Sequence, residues 1–354
     1  MAGMNALVES GCLPAVSPEY AARSAYHDVV LTEGKTIPIV DFSLLTCGKP
    51  DERSKVIQDL RHACREWGFF MVVNHSMPRK LMEEMLMACQ SYFNLPEEDK
   101  EEYKGKKLFD PIRSGTSFNV SVDKPLFWRE YLKLHVHPHF NAPISLLVSV
   151  FYPKKSSNSS SPIWEISEKY CREARLISNE LLKGISLSLG LEESYISKTM
   201  EVENGSQLQI LNLYPPCPRP ELALGMPPHS DHGLLTLVIE DKPYGLQILH
   251  NNAWVPICPL PNSILVNTGD HMEIFTNGLY KSVLHRVVVK EGVSRLSVAV
   301  GHGPPLGKPV KPAPELVDPI SFPSAFRGIT YREYIELQQS HELNGKSCLD
   351  RIRV

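Results

Sequence analysis

The chain reads Pro228-His229-Ser230-Asp231-His232-Gly233, then Ser282-Val283-Leu284-His285-Arg286-Val287, then Ser294-Arg295-Leu296-Ser297, and its fold turns on how these three pieces relate. His229 and Asp231 stand two apart, so on a β-strand both side chains leave the same face. His285 follows 54 residues after Asp231, on another apolar, β-branched run. Two imidazoles and one carboxylate occupy one side of a metal and leave neighbouring positions open, a donor set suited to a non-haem iron(II) centre. Arg295 comes ten residues after His285, with Ser297 on the same strand face. A fixed guanidinium beside such a metal can hold a dicarboxylate through a bidentate pair. In a chain with 13 histidines a lone His-x-Asp carries little weight; the later histidine and the Arg-x-Ser give it force. Zinc tolerates the same ligands, although a structural zinc site wants a fourth.

Around these pieces the sequence is a series of short β-rich runs punctuated by Gly, Pro and Asn. They are Gln207–Tyr214, Leu234–Glu240, Leu246–His250, Ala253–Pro256, Ile264–Asn267, Val283–Val289 and Leu296–Gly301. Such spacing predicts a sandwich or barrel. The preceding part is more helical, with 3.6-residue periodicity over Asp51–Trp67, Leu81–Phe93 and Ile163–Leu189. Strands are expected at Ile37–Phe42 (an edge, because of Pro38), Phe69–Val73 and Phe127–Val136, and a short helix near Glu19–His27. Leu108–Asp123 is polar and reads as a loop, and the Ser-rich run Lys154–Pro162 as a surface connection. The expected organisation is an N-terminal arm over 1–36, a helical region over 37–200, a β core with the site over 201–310, and a C-terminal segment over 311–354. That last segment ends in a helix, Tyr331–Leu343, expected to lie over the pocket as a lid.

Hydrophobic residues make up 42% and charged residues 22% of the 354, the proportions of a globular protein able to bury a sizeable core. A formal net charge of −3 gives no reason to expect nucleic acid or an anionic membrane as partner. No apolar span approaches the ~20 residues that cross a bilayer, and no secretory signal precedes the eight scattered cysteines. The expectation is a cytoplasmic monomer with reduced thiols and silent sequons.

Further motifs share the order of the metal pieces: Trp67-Gly68-Phe69-Phe70 with Val73-Asn74-His75, Asn212-Leu213-Tyr214-Pro215-Pro216-Cys217-Pro218, and Val266-Asn267-Thr268-Gly269-Asp270. With them, from about Ile37 to Tyr334, the chain resembles the plant iron(II)- and 2-oxoglutarate-dependent dioxygenases that include flavonoid, gibberellin and alkaloid oxidases. The resemblance implies a mainly β fold with flanking α-helices, built on a double-stranded β-helix (jelly-roll) core. It implies iron(II) on His229, Asp231 and His285, and 2-oxoglutarate held by Arg295 and Ser297 with Tyr214 and Asn212 beside it. Ascorbate is the expected stimulant. The implied reaction consumes O2, releases succinate and CO2, and hydroxylates, desaturates, demethylates or cyclises a small, largely apolar plant metabolite or hormone.

Phe118, Tyr131 and His302 are candidate substrate walls, each with ordinary packing as the plainer reading. His75 reads as structural, and His135, His137 and His139, interrupted by Pro138, as exposed strand-end residues. Gly301-His302-Gly303 with Gly307 lacks dinucleotide spacing, and Pro304-Pro305 forbids the helix that would follow. Two rivals stand beside the main reading. One is an iron oxidase of the same superfamily that does not use 2-oxoglutarate; the other is a catalytically idle jelly-roll that binds a small molecule.

Overall fold

The computed structural model describes residues 16–21, 37–117, 123, 125–141, 163–243, 245–340 and 347–354. Phe118, most of the arm, the Ser-rich run and the end of the last expected helix lie outside them. Twelve strands build two facing sheets: β1 (Ile39–Asp41), β2 (Phe69–Val73), β3 (Ile112–Gly115), β4 (Glu130–His137), β5 (Ser206–Tyr214), β6 (Leu224–His229), β7 (Leu235–Glu240), β8 (Leu246–His250), β9 (Ala253–Pro256), β10 (Ile264–Thr268), β11 (His285–Val288) and β12 (Arg295–Gly303). The larger sheet runs β1-β2-β10-β7-β12-β5-β4-β3 and the smaller β6-β11-β8-β9. Every pairing is antiparallel except β1 with β2.

Six helices matter to the argument: α1 (Phe42–Cys47), α2 (Pro50–His62), α3 (Arg79–Phe93), α4 (Ile163–Ser188), α5 (Asp270–Phe275) and α6 (Tyr331–Gln339). Asp41 caps α1 by accepting from the Ser43 and Leu44 amides. A π-helical turn, Ala63–Trp67, prolongs α2 and stops at Gly68, whose φ of +61° suits a residue without a Cβ. The chain then turns straight into β2.

Strand alternation divides the large sheet between two cores. On β5, Leu211 and Leu213 enter the helix-covered core, which also takes Met85 and Cys89 of α3 and Ile177 and Leu181 of α4. Phe69, Met71, Leu246, Ile248 and Val287 fill the space between the sheets. Each large apolar side chain so buried contributes about 1.5–3 kcal/mol. The result is a jelly-roll core with flanking helices.

Two features depart from the sequence reading. β3 lies inside the stretch expected to be a loop, paired with β4 from Ile112↔Leu134 to Gly115↔Tyr131. β6 is missing from the expected strand runs because Pro227 and Pro228 disguise it; its pairing with β11 carries register shifts, one of them across those prolines. The strands before residue 200 also join the same large sheet as those after it.

Candidate metal and co-substrate site

β6 and β11 are antiparallel neighbours, and their register places His229 directly opposite His285. The two rings lie 4.1 Å apart between centroids. Asp231, just beyond β6, brings Oδ1 to 3.7 Å from His229 Nε2 and 3.5 Å from His285 Nε2. One ligand atom from each of the three falls within 4.8 Å of the others. Both rings turn Nδ1 toward a backbone carbonyl, that of Pro227 at 2.8 Å and Val283 at 3.2 Å. Donation from Nδ1 leaves the Nε2 lone pair facing the cluster, the tautomer a metal requires. Burial, aided by His285, pushes His229 down to about 3, so the ring is neutral. Burial works to raise the Asp231 pKa, but His285, His229 and the Asn267 amide together hold it well below the usual carboxylate range.

Asn267 is the support that the sequence reading did not assign. Its Nδ2 donates to Asp231 Oδ2 at 2.9 Å, while the Asp270 amide holds the Asp231 carbonyl at 2.8 Å. The carboxylate oxygen left toward the histidines is Oδ1. Asp270, at the start of α5, also accepts from Ser230 Oγ at 3.1 Å and Tyr334 OH at 2.6 Å. Tyr331 OH lies 2.7 Å from His232 Nδ1, and Gln338 donates to the Ser230 carbonyl at 3.4 Å. Helix α6 thus grips the segment that carries Asp231.

The cavity between the sheets has this cluster on one wall and Arg295 at one end. Arg295 pairs with Glu240 through Nη2, and its guanidinium lies over the Tyr214 ring at 5.2 Å. Its Nη1 is buried without a hydrogen-bond partner among the described residues. Gly245 makes the room: a Cβ there would come within 2.6 Å of Arg295 Cδ. Asn212 donates to Ser297 Oγ at 3.3 Å and accepts from Arg129 Nη1 at 3.2 Å. A buried cation with an unmatched donor, a hydroxyl and an aromatic ring make a cradle that fits a carboxylate. The nearby two-nitrogen, one-oxygen donor set fits iron(II).

Tyr214, Asn212, Tyr131, Arg295 and Ser297 all line this cavity. His302 does not. Its even position on β12 turns it to the opposite face from Arg295 and Ser297, where it is buried against Gln207 Nε2 at 3.0 Å. Gly301 holds the wall position instead. His75 sits away from the cavity, 3.1 Å from the Asn262 carbonyl. His135 and His137 are half-buried and not exposed as expected; His139 is exposed.

The chain's similarities accord with this geometry. Residues 205–304 match the model of the 2OG-Fe(II) oxygenase superfamily, and residues 37–155 that of the non-haem dioxygenase in morphine synthesis N-terminal region. The 2-oxoglutarate-dependent dioxygenase 19 of Oryza sativa subsp. japonica is 42% identical over 98% of both chains. This chain belongs to the 2-oxoglutarate- and iron(II)-dependent dioxygenases. Thebaine 6-O-demethylase of Papaver somniferum is 35% identical over 92% of this chain and 87% of its own. The crystal structure of JOX2 in complex with 2OG, Fe and JA superposes with a TM-score of 0.86, at 30% identity over 100% of this chain and 98% of that one. The dioxygenase uses iron(II), 2-oxoglutarate and O2 on a small-molecule substrate, and neither rival reading finds support among these relatives. No helix among the described residues is long and apolar enough to cross a membrane.

Proposed function

We propose that this dioxygenase oxidises a small, mainly apolar plant metabolite or hormone, with iron(II) on His229, Asp231 and His285 and 2-oxoglutarate seated against Arg295. The observation that carries the reading is one cavity holding three convergent ligand atoms, with an unmatched Arg295 donor at one end and Leu208, Ile210, Met226 and Val238 among its walls. Bound together, iron(II) and 2-oxoglutarate supply O2-dependent C–H oxidation, with succinate and CO2 released. Arg295 and Ser297 bind the distal carboxylate, Tyr214 stacks under the guanidinium, and Asn212 orients the Ser297 hydroxyl. Glu240 fixes the Arg295 fork so that Nη1 faces the co-substrate. Asn267 presents Asp231 Oδ1 to the metal. Phe69, edge-on to His285 at 5.3 Å between centroids, walls that ligand from water. Gln338 brings α6 into the cavity wall, which supports a closing role for the 311–354 segment.

The name of one relative, thebaine 6-O-demethylase, and the JA in complex with another support a small plant metabolite or hormone as substrate. A cytoplasmic monomer is the form we infer from the sequence. The test is incubation of the protein with iron(II), 2-oxoglutarate, ascorbate, O2 and a panel of plant metabolite classes. One succinate should form per oxidised product with at least one class, and none with His229→Ala, Asp231→Ala or His285→Ala. Succinate formation that survives all three substitutions would refute the assignment.

A further inference from the structure

The cavity holds a second group of cations that the iron and 2-oxoglutarate assignments leave unused. Arg113 on β3 and Lys133 on β4 face each other directly in the antiparallel register, and both line the cavity. Each is 7% exposed. Like charges directly opposite one another on a sheet repel, and burial deepens the cost. Little offsets it: Asp231 acts on Lys133 only from beyond ion-pair distance, neither cation has a closer carboxylate among the described residues, and Arg113 Nε is buried with no hydrogen-bond partner. Burial, then Arg113 and Arg129, pulls the Lys133 pKa down to about 7. Arg129, on the same face, is committed to the Thr116 carbonyl at 3.0 Å and to Asn212. Two buried cations without an ion-pair partner are a stability defect, and such defects are kept where function needs them.

The co-substrate does not fill this place. Arg295 is in register with Tyr214 and Lys133 with Ile210. Four residues along the strands give ~13 Å, and two strands across give ~10 Å. A 2-oxoglutarate anchored on Arg295 and reaching toward the histidines therefore leaves Arg113 and Lys133 without an anion. In the row that crosses the large sheet from Lys133, the cavity is floored by Ile210, Ala299 and Val238, all apolar.

We propose that Arg113 and Lys133 form a carboxylate-binding subsite for the substrate, which is an apolar small molecule bearing an acid group. This deepens the proposed function and rests on it for the position of the co-substrate. Oxidation then falls on a carbon of the apolar body, because the acid end is held at the β3–β4 edge.

Benzoate and its uncharged isostere benzamide, titrated calorimetrically into the apoprotein and into the iron(II)–2-oxoglutarate complex under nitrogen, test it. Benzoate should bind at least about tenfold more tightly than benzamide. Lys133→Met and Arg113→Gln should each abolish that preference, Lys133→Arg should keep it, and 2-oxoglutarate affinity should not change. Without probe, Lys133→Met should melt at a higher temperature than wild type, since it removes a buried, repelled charge; a merely structural lysine would give the opposite shift. No preference for benzoate in the wild-type protein, a preference that survives both substitutions, or a lower melting temperature in Lys133→Met overturns the proposal. Iron and 2-oxoglutarate affinities of the wild-type protein report separately on the co-substrate end, so failure there is not mistaken for failure of this subsite.

Discussion

Arg295→Ala should separate the two roles proposed for this one side chain. The first is binding: hydrogen bonds to charged groups are worth about 1.5–3 kcal/mol each. Losing the fork should raise the half-saturating 2-oxoglutarate concentration at least about tenfold, with iron affinity unchanged. Arg295→Lys should recover part of this, because an ammonium keeps the charge but cannot hold Glu240 and the co-substrate from two ends of one planar group. The second role is stability. Arg295 and Glu240 are 7% and 2% exposed at their side chains, and breaking a buried pair from one side costs about 3–5 kcal/mol while the remaining charge stays ionised. Burial already raises the Glu240 pKa against the pull of Arg295. Without Arg295 it rises further, so the folded variant binds a proton that the unfolded chain releases near the ordinary Glu pKa. Stability of the variant should then fall as pH rises above that ordinary value, and its deficit against wild type should shrink toward acid pH. Adding Glu240→Gln should restore stability without restoring 2-oxoglutarate affinity. Urea denaturation across pH, with calorimetric titration of 2-oxoglutarate, reads both. An unchanged half-saturating concentration in Arg295→Ala would refute Arg295 as the anchor.

Other outcomes follow from the same geometry. Asn267→Ala frees Asp231 to rotate and should weaken iron binding about 10–100-fold, measured by anaerobic metal titration, with little change in 2-oxoglutarate binding to the iron-loaded protein. Tyr334→Phe removes a 2.6 Å hydrogen bond to Asp270 and should cost about 1.5–3 kcal/mol of stability, read by urea denaturation, while iron binding persists. Truncation before Thr330 removes the contacts of Tyr331, Tyr334 and Gln338 with His232, Asp270 and Ser230. It should therefore weaken iron binding as well as substrate coupling. Normal iron affinity in the truncated protein would reduce α6 to a cover.

What the sequence disclosed, it disclosed through strand parity and spacing. Arg295 with Ser297 and Asn212 with Tyr214 follow the period of two, whereas Asp231 joins His229 from the turn just beyond β6. The same rule, pressed further, separates His302 from Arg295 and places Arg129 and Lys133 beside Tyr131. What hid Arg113 was composition: a Gly- and Ser-rich stretch carries no apolar alternation, so an edge strand there leaves little trace. β6 was hidden by its prolines, which suppress the usual donors. Glu240 and Asn267 act through partners 55 and 36 residues away, and no local pattern reports a contact that only the closed double sheet creates.

The most direct test is a crystal grown under nitrogen with iron(II) and 2-oxoglutarate, with data collected at the iron absorption edge. A single anomalous peak should lie within bonding distance of His229 Nε2, Asp231 Oδ1 and His285 Nε2, with the distal carboxylate of 2-oxoglutarate on Arg295 Nη1 and Ser297. Iron bound elsewhere, or the diacid seated on Arg113 and Lys133 with Arg295 still paired to Glu240 alone, would contradict the account.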